Sequence, residues 1–97
     1  MIVRIVRLKF KEEEKDSFRP YFDSVCQYIR GFKGCSKLEV LQQIDQPNTF
    51  ITYSYWESEE DLNRYRQSEK FKEIWGTVKS KFEEKAQAWS HHKISEL

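Results

Sequence analysis

Aromatic side chains with polar tips, together with one arginine, are the residues of this chain best suited to hold a small molecule. The candidate substrate-binding residues are Tyr53, Tyr55, Tyr65, Trp75 and Arg4. A pocket lined by rings with a few hydrogen-bonding groups suits a flat aromatic compound. The tyrosine hydroxyls or the indole N–H could donate to an oxyanion that forms on such a compound, and Arg4 could supply a positive charge if it faces the pocket.

Each candidate also has a purely structural interpretation. Trp75 lies on the apolar stripe of a predicted helix, where a core position is favoured over ligand contact. Tyr65 lies on a short polar helix with few apolar neighbours, so we expect it to face a pocket or solvent rather than the core. Tyr53 and Tyr55 share a strand face that could instead be a dimer interface. Arg4 could equally form a surface ion pair.

No other pattern in the sequence predicts a catalytic or metal site. Cys26 and Cys35 fit neither a CxxC motif nor the spacing of zinc ligands. His91 and His92 would point to opposite faces of a strand, so they could not bind one metal together. The sequence has no Ser/His/Asp set, glycine-rich phosphate loop or paired carboxylates with defined spacing. We therefore expect no metal or other cofactor, and we disfavour nucleophilic hydrolysis and nucleotide chemistry.

Length and charge restrict the possible functions further. A chain of 97 residues corresponds to one domain, spanning residues 1–97. Acidic and basic residues are interspersed and the formal net charge is +1, which predicts a solvated surface rather than a nucleic-acid track. No apolar run is long enough to span a membrane, and arginines interrupt the N-terminal apolar segment too soon for a signal peptide. We expect a cytoplasmic protein without nucleic-acid or membrane partners.

The hydrophobic pattern of the first half predicts a strand, a helix and a hairpin. A strand with apolar residues on both faces runs from Ile2 to Phe10, and an amphipathic helix follows with its apolar stripe from Phe18 to Ile29. Two further strands, over residues 36–44 and 49–56, flank a turn of Asp, Gln, Pro and Asn. The strands on either side of this turn therefore form a hairpin.

The second half predicts two helices and a final strand. Ser58 can cap a short helix that ends near Gln67, and Ser68 can cap a further helical turn. Apolar residues then keep helical spacing from Phe71 to Trp89, and a short strand follows over residues 90–97. The resulting order, β-α-β-β-α-β, predicts a ferredoxin-like α+β fold with an antiparallel sheet.

One face of such a sheet is left without helices. The apolar and aromatic residues of the predicted hairpin cannot all point to the helices, because successive strand residues alternate between faces. Some apolar area therefore remains on the other face, and a second copy of the chain is its simplest cover. We expect a homodimer.

Four short segments mark the steps between the predicted elements. They are Phe32-Lys33-Gly34-Cys35, Gln46-Pro47-Asn48-Thr49-Phe50, Tyr55-Trp56-Glu57-Ser58-Glu59-Glu60-Asp61-Leu62 and Ser68-Glu69-Lys70-Phe71. In their order and spacing, across about Val3 to Ile94, they resemble the antibiotic biosynthesis monooxygenase domain. That family consists of dimeric α+β barrels. The resemblance implies two sheets packed face to face in a homodimer and a pocket between sheet and helices in each subunit.

The resemblance also implies an activity. Members of the family include enzymes that oxygenate polycyclic phenols without metal or flavin, so we expect a cofactor-independent monooxygenase that oxidises a small aromatic or quinol-like compound with dioxygen. The alternatives are a non-catalytic small-molecule or haem-binding dimeric module, and a module whose only role is dimerisation. The haem-opening branch most resembles residues 63–75, but its iron-ligating histidine position is Trp75 here. Its tryptophan position is Tyr65 and its asparagine position Val6. Tryptophan does not ligate iron, which disfavours haem opening.

Overall fold

An antiparallel four-stranded sheet with three helices on one face forms the frame of the protein. The computed structural model describes all residues from 1 to 97. The elements are β1 (Ile2–Lys9), α1 (Phe18–Arg30), β2 (Cys35–Gln42), β3 (Thr49–Trp56), α2 (Glu59–Arg66), α3 (Glu69–Val78) and β4 (Gln87–His92). The strand order is β2-β3-β1-β4. The predicted ferredoxin-like α+β fold is confirmed, and no helix has the length and apolar character needed to cross a membrane.

Two serines begin the helices that follow the hairpin. The Asp61 backbone N–H donates to Ser58 Oγ over 3.1 Å, and the Phe71 backbone N–H donates to Ser68 Oγ over 3.1 Å. Each bond satisfies one of the N–H groups that the first turn of a helix leaves without a partner. Both predicted caps are confirmed, and they fix where α2 and α3 start relative to β3.

The C-terminal part of the chain differs from the sequence prediction. Helix α3 ends at Val78, and Phe82 already lies in an extended segment that forms an isolated antiparallel bridge with Phe10. Strand β4 starts at Gln87 and ends at His92, so Trp89 is a strand residue rather than a helical one. The edge of β1 explains the difference, because pairing with β4 from Ile2 to Arg7 satisfies backbone groups that would otherwise stay open. The prediction of a helix up to Trp89 was wrong, and the predicted final strand is present but covers Gln87–His92 rather than residues 90–97.

Alternate residues of the central strands face the helices. The register pairs Leu8 with Phe50 and Ile2 with Trp56 across β1 and β3, and all four side chains are buried. Phe10 is completely buried, and its ring centroid lies 4.8 Å from that of Phe18 on α1. Burying side chains of this size contributes roughly 1.5–3 kcal/mol each. This aromatic packing holds the helices on the sheet.

The opposite side of the sheet has no helix on it. We call it the open face, and it includes Ile5, Leu41, Tyr53, Tyr55 and Trp89. Ile5 pairs with Tyr53 on one side and with Trp89 on the other. Leu41 is 52% exposed and Trp89 is 44% exposed. As the sequence predicts, apolar side chains remain on a face that the helices do not cover.

Candidate functional site

A cavity of about 390 Å³ lies between the sheet and the three helices. Its volume lies within the range of small-molecule pockets, roughly 300–1,000 Å³. Of the 21 residues that line it, 17 are hydrophobic. The others are two hydroxyl residues, Thr52 and Ser54, and two arginines, Arg4 and Arg66. An apolar chamber with a few polar groups suits an organic ligand better than an ion or a sugar.

The alternation of the strands and the spacing of the helices determine which side chains line the cavity. The sheet wall consists of alternate strand residues: Arg4, Val6 and Leu8 from β1, and Thr52, Ser54 and Trp56 from β3. The wall opposite includes residues of α3 at helical spacing: Phe71, Ile74, Trp75 and Val78. The same patterns that predict the elements therefore place these side chains on one inner surface.

Four rings from three elements form one continuous wall, which we call the aromatic row: Trp56, Tyr65, Phe71 and Trp75. Trp56 stacks on Tyr65 with centroids 5.1 Å apart, Tyr65 meets Phe71 edge-on at 5.2 Å, and Phe71 stacks on Trp75 at 6.1 Å. Trp56 Nε1 also donates to Ser54 Oγ over 2.9 Å. Because each ring rests on the next, with Tyr65 and Phe71 meeting at 77°, the row is a preorganised aromatic wall with which a planar molecule can make ring contacts.

Tyr65 is more deeply buried than its sequence suggests. We expected a pocket or solvent position, but the residue is only 8% exposed and belongs to the core as well as to the cavity wall. Its apolar neighbours, Phe32, Trp56 and Phe71, come from other elements, and so the polar sequence of α2 does not reveal them. Burial raises the pKa of the Tyr65 hydroxyl, because the tyrosinate would lose its solvation. The hydroxyl is therefore a hydrogen-bond donor at neutral pH.

Arg4 faces the cavity from β1. Its Nη1 donates to Ser90 Oγ on β4 over 2.9 Å, which holds the guanidinium on the helix side of the sheet. Partial burial and the charge of nearby Arg66 lower the pKa of Arg4. The sequence left open a surface ion pair, and the structure places this arginine on the cavity wall instead.

Arg66 is the site residue that sequence reasoning missed. It is the last residue of α2 and lines the cavity together with Arg4. Nothing in the local sequence separates it from Arg64, which points away and pairs with Glu60 and Asp61 on the helix surface. Position on the helix alone decides the difference, because residues two apart lie on different faces.

Tyr53 and Tyr55 do not line the cavity. They flank Ser54, which does, and alternation along β3 turns both onto the open face. Their hydroxyl oxygens lie 3.1 Å apart, and the ammonium of Lys37 lies 5.5 Å and 5.1 Å from the two ring centroids. The sequence prediction that these two tyrosines share a pocket with the other candidates is therefore corrected. Of the five candidates, the structure brings together Arg4, Tyr65 and Trp75.

Metal-ligand chemistry receives no support from the side chains. No group of three or more His, Cys, Asp or Glu residues is arranged to hold a metal ion. His91 and His92 are both exposed at neighbouring positions of β4, whereas the cavity wall contains no histidine. The wall therefore offers no imidazole to a haem iron, and Trp75 lies where the haem-opening resemblance would require one.

The fold and the cavity together define a ferredoxin-like α+β domain with an aromatic chamber between its sheet and helices. The sequence profile of the antibiotic biosynthesis monooxygenase family matches residues 1–75. The chain belongs to this family, which confirms the resemblance carried by the four segments. Comparison with curated protein sequences gives no significant match.

Solved structures share the whole fold at low sequence identity. A protein of Nitrosomonas europaea that carries the family's name superposes with a TM-score of 0.90 at 18% identity, covering 98% of this chain and 100% of the other. Rv0793 of Mycobacterium tuberculosis gives 0.89 at 15%, with coverages of 98% and 96%. SnoaB of Streptomyces nogalater, a cofactor-independent oxygenase, gives 0.87 at 11%, with coverages of 99% and 95%. At these identities the similarity establishes the fold alone.

Proposed function

We propose that the protein is a cofactor-independent monooxygenase that oxidises a small aromatic or quinol-like compound with dioxygen in the cavity. Family membership supports a monooxygenase, and SnoaB shows that a protein of this fold can work as a cofactor-independent oxygenase. The observation that carries the proposal is the aromatic row along a cavity of about 390 Å³. A planar substrate can stack there while the apolar walls keep water away from it.

The substrate supplies the electrons in this reaction. A ring carbon that carries two hydrogens in the keto form of a phenol loses one as a proton, and the electron-rich anion that remains reduces dioxygen. One oxygen atom becomes a carbonyl oxygen of the product, and the other leaves as water with the two hydrogens, so that R₂CH₂ + O₂ gives R₂C=O + H₂O. The protein has to bind and orient the substrate, exclude water and stabilise the anion.

Three side chains have suitable positions for these roles. Trp75 binds the ring system as part of the aromatic row, the protonated Tyr65 hydroxyl donates to the oxyanion, and Arg4 supplies positive charge from the sheet wall. Fixed donors in a water-poor site act strongly on a developing charge, because they need not reorganise during the reaction.

Oxygen uptake with a panel of hydroquinones and anthrone-type phenols tests the activity. We expect uptake above the uncatalysed background and a product that carries one added oxygen atom. Tyr65→Phe removes the hydroxyl from the cavity and should lower kcat about tenfold or more. Tyr28→Phe removes the same atom from a residue that is 48% exposed on α1 and does not line the cavity, so it should leave the rate unchanged.

Equal oxygen uptake with and without protein for every compound would contradict the proposal. A haem titration followed in the Soret band tests the haem-binding alternative in parallel. Haem binding without oxygen uptake would indicate a haem carrier instead of an oxygenase.

We further propose that the protein is a homodimer in which two open faces pack against each other. The exposed apolar residues Leu41 and Trp89 support this arrangement, and Tyr53 and Tyr55 then become interface residues rather than substrate contacts. Leu41→Glu should shift the mass measured by light scattering towards the monomer. Ile44→Glu is the matched control, since Ile44 is 99% exposed beyond the end of β2. A wild-type monomer at micromolar concentration would refute the dimer.

A further inference from the structure

The charged groups of the cavity have one sign. Arg4 and Arg66 are its only ionisable side chains besides tyrosines, and no carboxylate lines it. Elsewhere in the protein Arg7, Arg19 and Arg64 each lie within 4 Å of a carboxylate oxygen. Arg30 donates to the Cys35 carbonyl instead. The arginines of the cavity thus differ from these four in facing an apolar chamber.

The two arginines are on the solvent-accessible part of the cavity lining. Arg66 is exposed and Arg4 is half-buried, whereas Trp56 and Tyr65 of the aromatic row are buried, and we call the arginine side of the lining the mouth of the cavity. Arg4 is close enough to Arg66 for the second charge to lower its pKa. An anion that binds between them would relieve this repulsion, and it would meet charges whose attraction solvent screens less than at an open surface.

Guanidinium geometry favours an oxyanion, and the neighbouring helix favours one with a single charge. The planar fork of arginine binds a carboxylate or a phosphate with two parallel hydrogen bonds. Arg66 is the last residue of α2, and the partial negative charge at the C-terminal end of a helix disfavours a doubly charged anion such as a phosphate monoester. A singly charged and planar carboxylate therefore suits this position best.

We propose that the ligand of the cavity is an aromatic carboxylic acid. Arg4 and Arg66 bind its carboxylate at the mouth, and its ring system lies on the aromatic row inside. This inference rests on the proposed function, because it specifies the substrate class of the same cavity. It makes Arg66 a residue that determines specificity and assigns Arg4, which Ser90 holds in place, to the carboxylate. The Tyr65 hydroxyl is then the donor to the phenolic oxyanion.

Binding of naphthoate and of its uncharged amide, naphthamide, tests the inference by calorimetry. The two probes have nearly the same shape and differ in the charge of one group. We expect naphthoate to bind about tenfold or more tightly, and added salt to weaken only naphthoate. Arg66→Gln should reduce naphthoate affinity about tenfold and leave naphthamide unchanged. Arg64→Gln makes the same charge change on the same helix outside the cavity and should affect neither probe.

The outcomes separate this inference from the oxygenase proposal. Equal affinity for both probes, or an equal loss for both in Arg66→Gln, overturns the carboxylate assignment but leaves a neutral substrate possible. Tighter binding of naphthyl phosphate than of naphthoate overturns the choice of a singly charged anion. Arg66-dependent binding of naphthoate together with no oxygen uptake on any phenolic acid overturns the oxygenase and keeps the binding site.

Discussion

The substitution Gly34→Ala tests how the sheet holds helix α2, which carries part of the site. The φ of Gly34 is +91°, and a Cβ built on it would lie 2.5 Å from the Cβ, Cγ and Oδ2 atoms of Asp61 in the first turn of α2. The Glu57 backbone N–H also donates to the Gly34 carbonyl over 2.8 Å. The start of β2 thereby fixes the step from β3 to α2, and α2 carries Tyr65 and Arg66.

The cost of Gly34→Ala has two parts. Placing an L residue in the left-handed region costs about 1–2 kcal/mol, and forcing a methyl group into packed atoms costs about 1–3 kcal/mol. Their sum is a loss of about 2–5 kcal/mol in the free energy of unfolding. For a domain of this size each kcal/mol corresponds to about 4–8 °C, so the melting temperature should fall by at least about 8 °C.

Gly76→Ala is the matched control with the opposite sign. Gly76 lies inside α3, and a Cβ built on it meets no atom within 4 Å. The same methyl group there improves helix propensity and restricts the unfolded chain, which should add about 0.5–1 kcal/mol to the free energy of unfolding. The melting temperature should rise by about 2–8 °C.

Urea and thermal unfolding of both variants at one protein concentration measures the two effects. The double variant Gly34→Ala with Asp61→Gly separates the two parts of the Gly34→Ala cost, because removing the Asp61 side chain relieves the clash but not the φ strain. Its loss should be smaller than the sum of the single losses by about 1–3 kcal/mol. A Gly34→Ala protein as stable as the wild type, or a Gly76→Ala protein less stable than it, would refute the reasoning.

Three further predictions concern single groups. Burial raises the pKa of Tyr65 above its unfolded value near 10, so the folded state keeps a proton that the unfolded state loses. Stability is therefore fully present below about pH 10 and falls above it. Tyr65→Phe should flatten this fall in urea unfolding and remove a late tyrosinate transition from the ultraviolet titration. Ser68→Ala removes the cap of α3 and should lower the free energy of unfolding by about 1 kcal/mol. Ser36→Ala, at an exposed position, should change it by less than about 0.5 kcal/mol in calorimetry. Equal losses in the two variants would show that the cap is not responsible. Burial raises the pKa of Cys35, so a thiol reagent at pH 8 should modify the half-buried Cys26 first and Cys35 only slowly. A fast reaction of both thiols would contradict this prediction.

Local patterns are sufficient for most of the architecture. The alternation of β1 and β3, the helical stripe of α1 and the two serine caps each depend on residues close in sequence, and the structure contains all of them. They fail between Val78 and Trp89, where the apolar spacing suits a helix as well as it suits a strand. Pairing with the free edge of β1, a contact distant in sequence, decides for the strand.

The residues of the site also fall into those that the sequence predicts and those that only the tertiary structure brings together. The sequence by itself determined the family, the order of elements and a set of aromatic residues with Arg4 among them. It could not determine which strand face the helices cover, because alternation separates Tyr53 and Tyr55 from Ser54 without assigning either side. Only tertiary packing brought Tyr65 onto Trp56 and turned Arg66 towards Arg4. The first contact depends on the angle at which α2 folds back on the end of β3, and the second joins α2 to a strand about sixty residues earlier in the chain, so neither is recorded in a local pattern.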